Sequence, residues 1–238
     1  MDRERLIVFM NSYTTGISGG DVCLIELVKR MDMSSLPLVV TSALGKKLCE
    51  QSSLKAEYFL TTNETRFGNI IGTYICRIIK SFFSPLEIGN GNILYVGSDF
   101  LTDVIPALAK KIANKKSKLV QKIFHIIPAQ RLIPHYAQQV SFVIIRYFAD
   151  AVIVDNALLK NELIRRNFKA DKIHISYPGI DLDYYFNSDS AVSSSDAVFL
   201  GRFHYSKGLF DLVEILTLSA LRPSTGSLAM QLGLASCW

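Results

Sequence analysis

Arg202 and Lys207 stand five positions apart in Gly201-Arg202-Phe203-His204-Tyr205-Ser206-Lys207-Gly208, between the apolar runs Ala197 to Leu200 and Leu209 to Leu216. A fork-shaped guanidinium at a strand end and an ammonium just before a helix suit a diphosphate, the first bidentate and the second as a point charge. Two solvent-facing charges flanking a turn fit the same spacing. Near the other end of the chain, Gly16-Ile17-Ser18-Gly19-Gly20-Asp21 follows the run Leu6 to Met10 and opens a long helical pattern. There, backbone N–H groups and the positive helix end can receive a phosphate or a sugar hydroxyl. Taken alone, the residues are better explained by a plain strand-to-helix turn, with Asp21 favouring the dipole. The dinucleotide spacing G-x-G-x-x-G is absent, which disfavours a nicotinamide-dependent oxidoreductase.

His125 lies toward the end of the apolar stretch Leu119 to Ile127, before Pro128. That places an imidazole near the carboxyl edge of a sheet, where open α/β sheets bind ligands. Simple packing among apolar neighbours is the alternative. Asp181-Leu182-Asp183 has the D-x-D form of some metal-dependent sugar transferases. Following Pro178-Gly179, it reads better as a turn or a helix N-cap. The four cysteines are far apart with no C-x-x-C pair, and the four histidines are scattered, so no structural metal is expected and the thiols read as reduced.

The elements that must carry these groups follow from periodicity. Short runs rich in Ile and Val (Leu6 to Met10, Leu38 to Val40, Ile93 to Val96, Leu119 to Ile127, Ala151 to Val154, Lys172 to Ser176) alternate with helical patterns. These patterns are Asp21 to Met31, Lys46 to Ser53, Thr102 to Ala113, Val140 to Ala149 and Ala157 to Arg166. Such alternation predicts an α/β, Rossmann-like parallel sheet covered on both faces. This first domain is expected over 1–186. The polar stretch 187–196 reads as a linker. Residues 197–216 then begin an incomplete second Rossmann-like domain, and 217–238 form an irregular tail.

Net charge is +5, from 26 basic and 21 acidic residues, but Val104 to Ala149 holds eight basic residues and no acid. That excess points to a polyanion, a phosphate-rich ligand or an anionic lipid surface, against the plain alternative of a solvated helix end. Phe67 to Phe83 is the most lipid-like stretch, yet Arg77 and Lys80 interrupt it, so no transmembrane helix is expected. The start of the chain lacks a signal-peptide core. A cytoplasmic protein is expected, peripheral on the cytoplasmic face of a membrane through the basic segment and Phe67 to Phe83.

Taken in order, five pieces resemble glycosyltransferase family 4, retaining nucleotide-sugar transferases of the GT-B fold with two facing Rossmann-like domains. They are the Gly19-Gly20 turn, KLVQKIFHIIP around His125, FADAVIVDNALLKNELI at 148–164, ISYPGIDLDYYF at 175–186 and AVFLGRFHYSKG at 197–208. The resemblance implies an acceptor-binding N-terminal domain and a donor-binding C-terminal domain. It places Arg202 and Lys207 on the donor diphosphate, Gly19 and Gly20 against the transferred sugar or phosphate, and His125 beside the reacting sugar as the catalytic candidate. The implied partners are a nucleotide-diphosphate sugar as donor substrate and a lipid-linked or polysaccharide acceptor, with no nucleic acid, no metal and no other cofactor. The family's paired glutamates, E-x7-E, belong in the second half of the C-terminal domain, and this chain has no acid after Glu214. The expectation is therefore a truncated transferase, inactive alone, or a non-catalytic remnant that keeps acceptor or membrane-surface recognition.

Overall fold

The computed structural model describes residues 5–12, 18–32, 35–63, 69–179 and 208–220. The chain divides into two compact units, 1–179 and 180–238. The first is built on β1 (Leu6–Met10), α1 (Gly19–Arg30), β2 (Leu38–Thr41), α2 (Ala43–Gln51), β3 (Glu57–Leu60), α3 (Ile70–Phe82) and β4 (Ile93–Val96). It continues through α4 (Leu101–Ala113), β5 (Lys118–Ile123), α5 (Leu132–Phe148), β6 (Ala151–Val154), α6 (Ala157–Arg165) and β7 (Ile173–Ile175).

All seven strands are parallel, in the order β3-β2-β1-β4-β5-β6-β7. Continuous apolar runs are what a sheet buried on both faces demands, and every residue of β1 is buried. One face holds Leu6, Val8, Met10 and Tyr95 against Leu24, Ile25 and Val28 of α1 and Leu48 of α2. The other holds Ile7, Phe9, Leu94 and Val96 against Val104 and Ala107 of α4, Phe142 and Ile145 of α5, and Leu159 and Leu163 of α6. The chain winds from β1 to β2 and β3, then returns through α3 to β4 on the other side of β1. The switch point thus falls between β1 and β4.

The expected Rossmann-like sheet is present, with differences in several elements, among them the added helix α3 and an earlier start of α2. β3 is an edge strand whose short Glu-Tyr-Phe-Leu sequence is half exposed, so it carries no clear apolar signal. α5 begins eight residues before Val140, because Pro134 sits in its first turn, where its missing N–H has no helical partner to lose. β5 ends at Ile123, short of Ile127, since residues 124–128 leave the sheet. In the second unit, α7 (Leu209–Ala220) covers the apolar run at 209–216 and continues through 217–220, so the irregular stretch expected from 217 does not begin there. The stretches 187–196, 197–200 and 221–238 lie outside the described residues.

Gly97, just past β4, stands between Leu24 of α1 and the backbone of Phe9 in β1. Its N–H donates to Phe9 O at 3.0 Å. A Cβ there lies 2.5 Å from Leu24 Cδ2 and 3.0 Å from Phe9 O, and Leu24 is itself packed in the core. Gly97→Ala is expected to destabilise the domain by about 1–3 kcal/mol through overpacking, read as a lowered urea midpoint at unchanged slope.

Candidate functional site at the carboxyl edge of the sheet

Immediately after β1, Asn11 is fully buried and held on every polar atom. Its N–H donates to Asp103 Oδ1 at 2.5 Å, and its carbonyl accepts from Arg77 Nη1 at 2.6 Å. Its side-chain amide donates to Ser81 Oγ and accepts from Thr61 Oγ1, both at 3.0 Å. Arg77 Nε donates to Thr62 Oγ1 at 3.1 Å, and Ser98 Oγ donates to Asp103 Oδ2 at 2.5 Å. A cation from α3 and a carboxylate from α4, both with no exposed surface, therefore grip the two backbone groups of one residue. Burial pushes the Asp103 carboxyl up to about 7, against the pull of the Ser98 hydroxyl, the Asn11 N–H and the Ser12 hydroxyl. Burial likewise lowers the Arg77 guanidinium from its ordinary value.

On the other side of the switch point, Gln138 of α5 binds together the loops that follow β4 and β5. Its Nε2 donates to Asp99 Oδ2 at 2.5 Å and to His125 O at 2.9 Å, while its Oε1 accepts from Ile127 N at 2.8 Å. One turn earlier, His135 Nδ1 lies 2.7 Å from Ile127 O. Gln121 adds a third tie, donating to Ser98 O at 2.9 Å. Asp99 is buried, and desolvation raises its carboxyl; the Gln138 amide, its own backbone and the nearby charge of His125 pull the other way. The result is a rigid rim carrying a buried carboxylate beside an exposed imidazole.

Helix α1 starts at Gly19, so Gly19 and Gly20 are its first two helical residues and not a turn that precedes it. Ser18 caps the helix: its Oγ accepts from Asp21 N at 3.2 Å, and the Asp21 carboxylate accepts from Ser18 N–H at 3.2 Å. The sequence reads the helix as beginning at Asp21 because two glycines are poor helix formers, but the reciprocal cap carries them. The N–H groups of Gly19 and Gly20 stand in the first turn, too early for partners within the helix. A Cβ at Gly19 meets no atom within 4 Å, whereas one at Gly20 lies 3.2 Å from the Phe124 ring. Phe124 also lies under the Lys122 ammonium, 5.1 Å from ring centroid to Nζ, and Lys122 pairs with Asp155 past β6.

Of the residues singled out from the sequence, Gly19, Gly20 and His125 come to this one edge. His125 is exposed, which excludes the packed alternative, and it sits two residues beyond the end of β5 rather than within a strand. Arg202, Lys207 and Asp181-Leu182-Asp183 lie outside the described residues. Sequence reading missed Asn11, Arg77, Asp99, Asp103 and Gln138. The available signal was a set of polar residues placed directly after β1 and β4 or inside otherwise apolar helices.

The basic segment is not one patch. Lys110 is buried and donates to Ser84 O at 2.5 Å, Lys111 pairs with Asp150 at 2.8 Å, Lys122 pairs with Asp155, and Arg146 donates to Arg166 O at 3.3 Å. Among the described residues, no His, Cys, Asp and Glu group could hold a metal ion. No described helix is long and apolar enough to cross a membrane. Cys23, Cys49 and Cys76 are free thiols.

No family model matches the chain, and no curated protein matches it. Solved structures do. Anabaena HepE in complex with UDP-glucose aligns with a TM-score of 0.53 at 16% identity, covering 76% of this chain and 45% of that one. Its complex with UDP and glucose aligns at 0.52 with 18% identity over 77% and 46%. UDP-N-acetylglucosamine 2-epimerase from Rickettsia bellii aligns at 0.51 with 14% identity over 74% and 45%. The chain spans less than half the length of these proteins. At such identities the likeness is one of fold, a Rossmann-like α/β domain.

The titration of Asp103 gives a stability signature. Its folded pKa, about 7, lies above that of an unfolded aspartate, so the native state holds a proton that the unfolded chain gives up above about pH 4. Its contribution is then full below about pH 4 and lost as pH rises to 7. Unfolding free energy is expected to fall over that window by a few kcal/mol. Asp103→Asn, which keeps an acceptor for Asn11 N–H, should flatten this slope in urea titrations at pH 5 and pH 8.

Proposed function

We infer that this chain is the acceptor-side part of a nucleotide-sugar-dependent glycosyltransferase of the GT-B type, with a family 4 relationship. The observation that carries this reading is the carboxyl edge at the switch point. There the first-turn N–H groups of Gly19 and Gly20 stand at the capped start of α1, and Gln138 ties the buried Asp99 to the loop of the exposed His125. The fold likeness to proteins solved with UDP-glucose, and with UDP and glucose, supports a sugar nucleotide as the ligand.

In this reading Arg202 and Lys207 neutralise the donor diphosphate as the glycosidic bond to phosphate breaks, with no metal required. Gly19 and Gly20 let the backbone approach the transferred sugar or phosphate, and His125 stands beside the reacting sugar. The acceptor is a lipid-linked or polysaccharide hydroxyl, met in the cytoplasm or on the cytoplasmic face of a membrane. The base and ribose of the donor need the paired glutamates, which have no counterpart after Glu214. The second reading is a non-catalytic module that retains acceptor or membrane-surface recognition and binds no sugar nucleotide.

Calorimetric titration with UDP-glucose separates the two readings. Measurable binding that weakens about tenfold or more in Arg202→Ala, and similarly in Lys207→Ala, is the result expected for the transferase part. Heat of binding unchanged in both variants removes the diphosphate assignment, and no binding at all favours the module. Residues 1–238 alone are expected to show no sugar transfer, because misplacement of the donor by about 1 Å costs on the order of a hundredfold in rate. Turnover by this chain, abolished in Arg202→Ala, would show that the donor is held without the glutamate pair.

A further inference from the structure

Helix α3 is built the wrong way round for a globular domain. The side chains it buries fully are Thr73, Arg77 and Ser81, all polar. At 3.6 residues per turn, the opposite side is a ridge of Ile71, Ile75, Ile79, Phe82 and Phe83, each exposed and the last 77% so. An amphipathic helix ordinarily turns its apolar stripe to the core. Here the core-facing side is committed to Asn11 and Thr62 through Arg77 and Ser81, so the apolar stripe is left in water.

The neighbouring helices share this character. α3 packs on α4 and α4 packs on α5, so the three form one layer on a single face of the sheet. On α5, Tyr136, Val140, Val143 and Tyr147 are exposed on the side opposite the buried Gln138, Ser141 and Ile145. Residues 70–82, 101–113 and 132–148 contain one acid between them, Asp103, and it is fully buried. The outer surface of the three helices thus carries no exposed carboxylate. The charges it carries are positive: Lys80 and Arg131 are exposed, while the partly exposed Lys111 and Arg146 are engaged with Asp150 and with Arg166 O.

We propose that the α3 ridge, continued by the outer side of α5, is a docking face for an anionic lipid bilayer, with α3 lying in the plane of the interface. Two features select lipid over a protein partner. The apolar residues are aliphatic and aromatic on a single helix of 13 residues, a length suited to lying in the headgroup boundary and too short to span it. The exposed charges that the three helices themselves carry are of one sign, complementary to anionic headgroups, and the neighbouring Asp150 is paired with Lys111. The face does not depend on sugar-nucleotide binding, and it would bring the domain to a membrane in either reading of its function.

The test is flotation of the full chain with phosphatidylcholine vesicles and with vesicles in which part of that lipid is replaced by phosphatidylglycerol. The unsubstituted chain is expected to float with the anionic vesicles and far less with the neutral ones. Ile75→Asp combined with Ile79→Asp should reduce the bound fraction at least tenfold, with the circular dichroism spectrum unchanged, since both side chains are exposed. Leu158→Asp, an equally exposed apolar position on α6, serves as the matched control and should bind as the unsubstituted chain does. Equal binding by the Ile75/Ile79 variant, or equal binding to neutral vesicles, overturns the proposal. So does a concentration-dependent dimer in sedimentation that the same variant dissolves, which would assign the ridge to a second copy. UDP-glucose titration of the Ile75/Ile79 variant keeps the two questions apart, because the sugar-nucleotide reading can fail while vesicle binding stands, and the reverse.

Discussion

The two backbone groups of Asn11, one held by a buried cation and the other by a buried carboxylate, are the constraint from which most of this domain follows. Arg77 and Asp103 do not form a direct ion pair; the N–H and carbonyl of Asn11 stand between them. Each charge is solvated by fixed dipoles in place of water, which is the condition under which burying a charge is tolerable. The end of β1 is set by this arrangement and not by apolar packing alone.

The same constraint shapes the outside of the molecule. α3 must direct Thr73, Arg77 and Ser81 inward to satisfy the polar centre, so geometry leaves its isoleucines and phenylalanines outward. α5 makes a similar exchange on a smaller scale. It buries Gln138, whose amide joins Asp99 to the loop of His125, and exposes tyrosines and valines on its far side. The rigid rim at the switch point and the apolar outer face are therefore two consequences of one polar core. Loops that carry function are usually supported from below by such a frame.

Charge was the least transparent quantity in the sequence. Eight basic residues without an acid suggest a strong local field, yet four of them are engaged with carbonyls or carboxylates of other segments. Lys122 lies in β5 and Asp155 just past β6, while Lys111 lies in α4 and Asp150 just before β6, so each pairing crosses more than thirty positions. No count along the chain can pair them. What survives at the surface is the absence of exposed acid over three helices.

Local chemistry was enough to specify the sheet. β1, β4 and β6 are legible to the residue because parallel strands buried on both faces need unbroken apolar runs, and the helices between them announce themselves by their periodicity. The glycines of α1 and His125 were legible as residues at the carboxyl edge, since strand order and direction place them there. The half-exposed β3 and the true end of β5 were not, because edge position and loop departure depend on neighbours distant in sequence. Nor were Asn11, Arg77, Asp99, Asp103 and Gln138, whose roles exist only as mutual contacts. In Phe67 to Phe83 the sequence by itself determined that one side would be apolar and the other polar. Only the tertiary structure decided which side faced inward, because an arginine bonded to the end of β1 outweighed the usual preference for burying isoleucine.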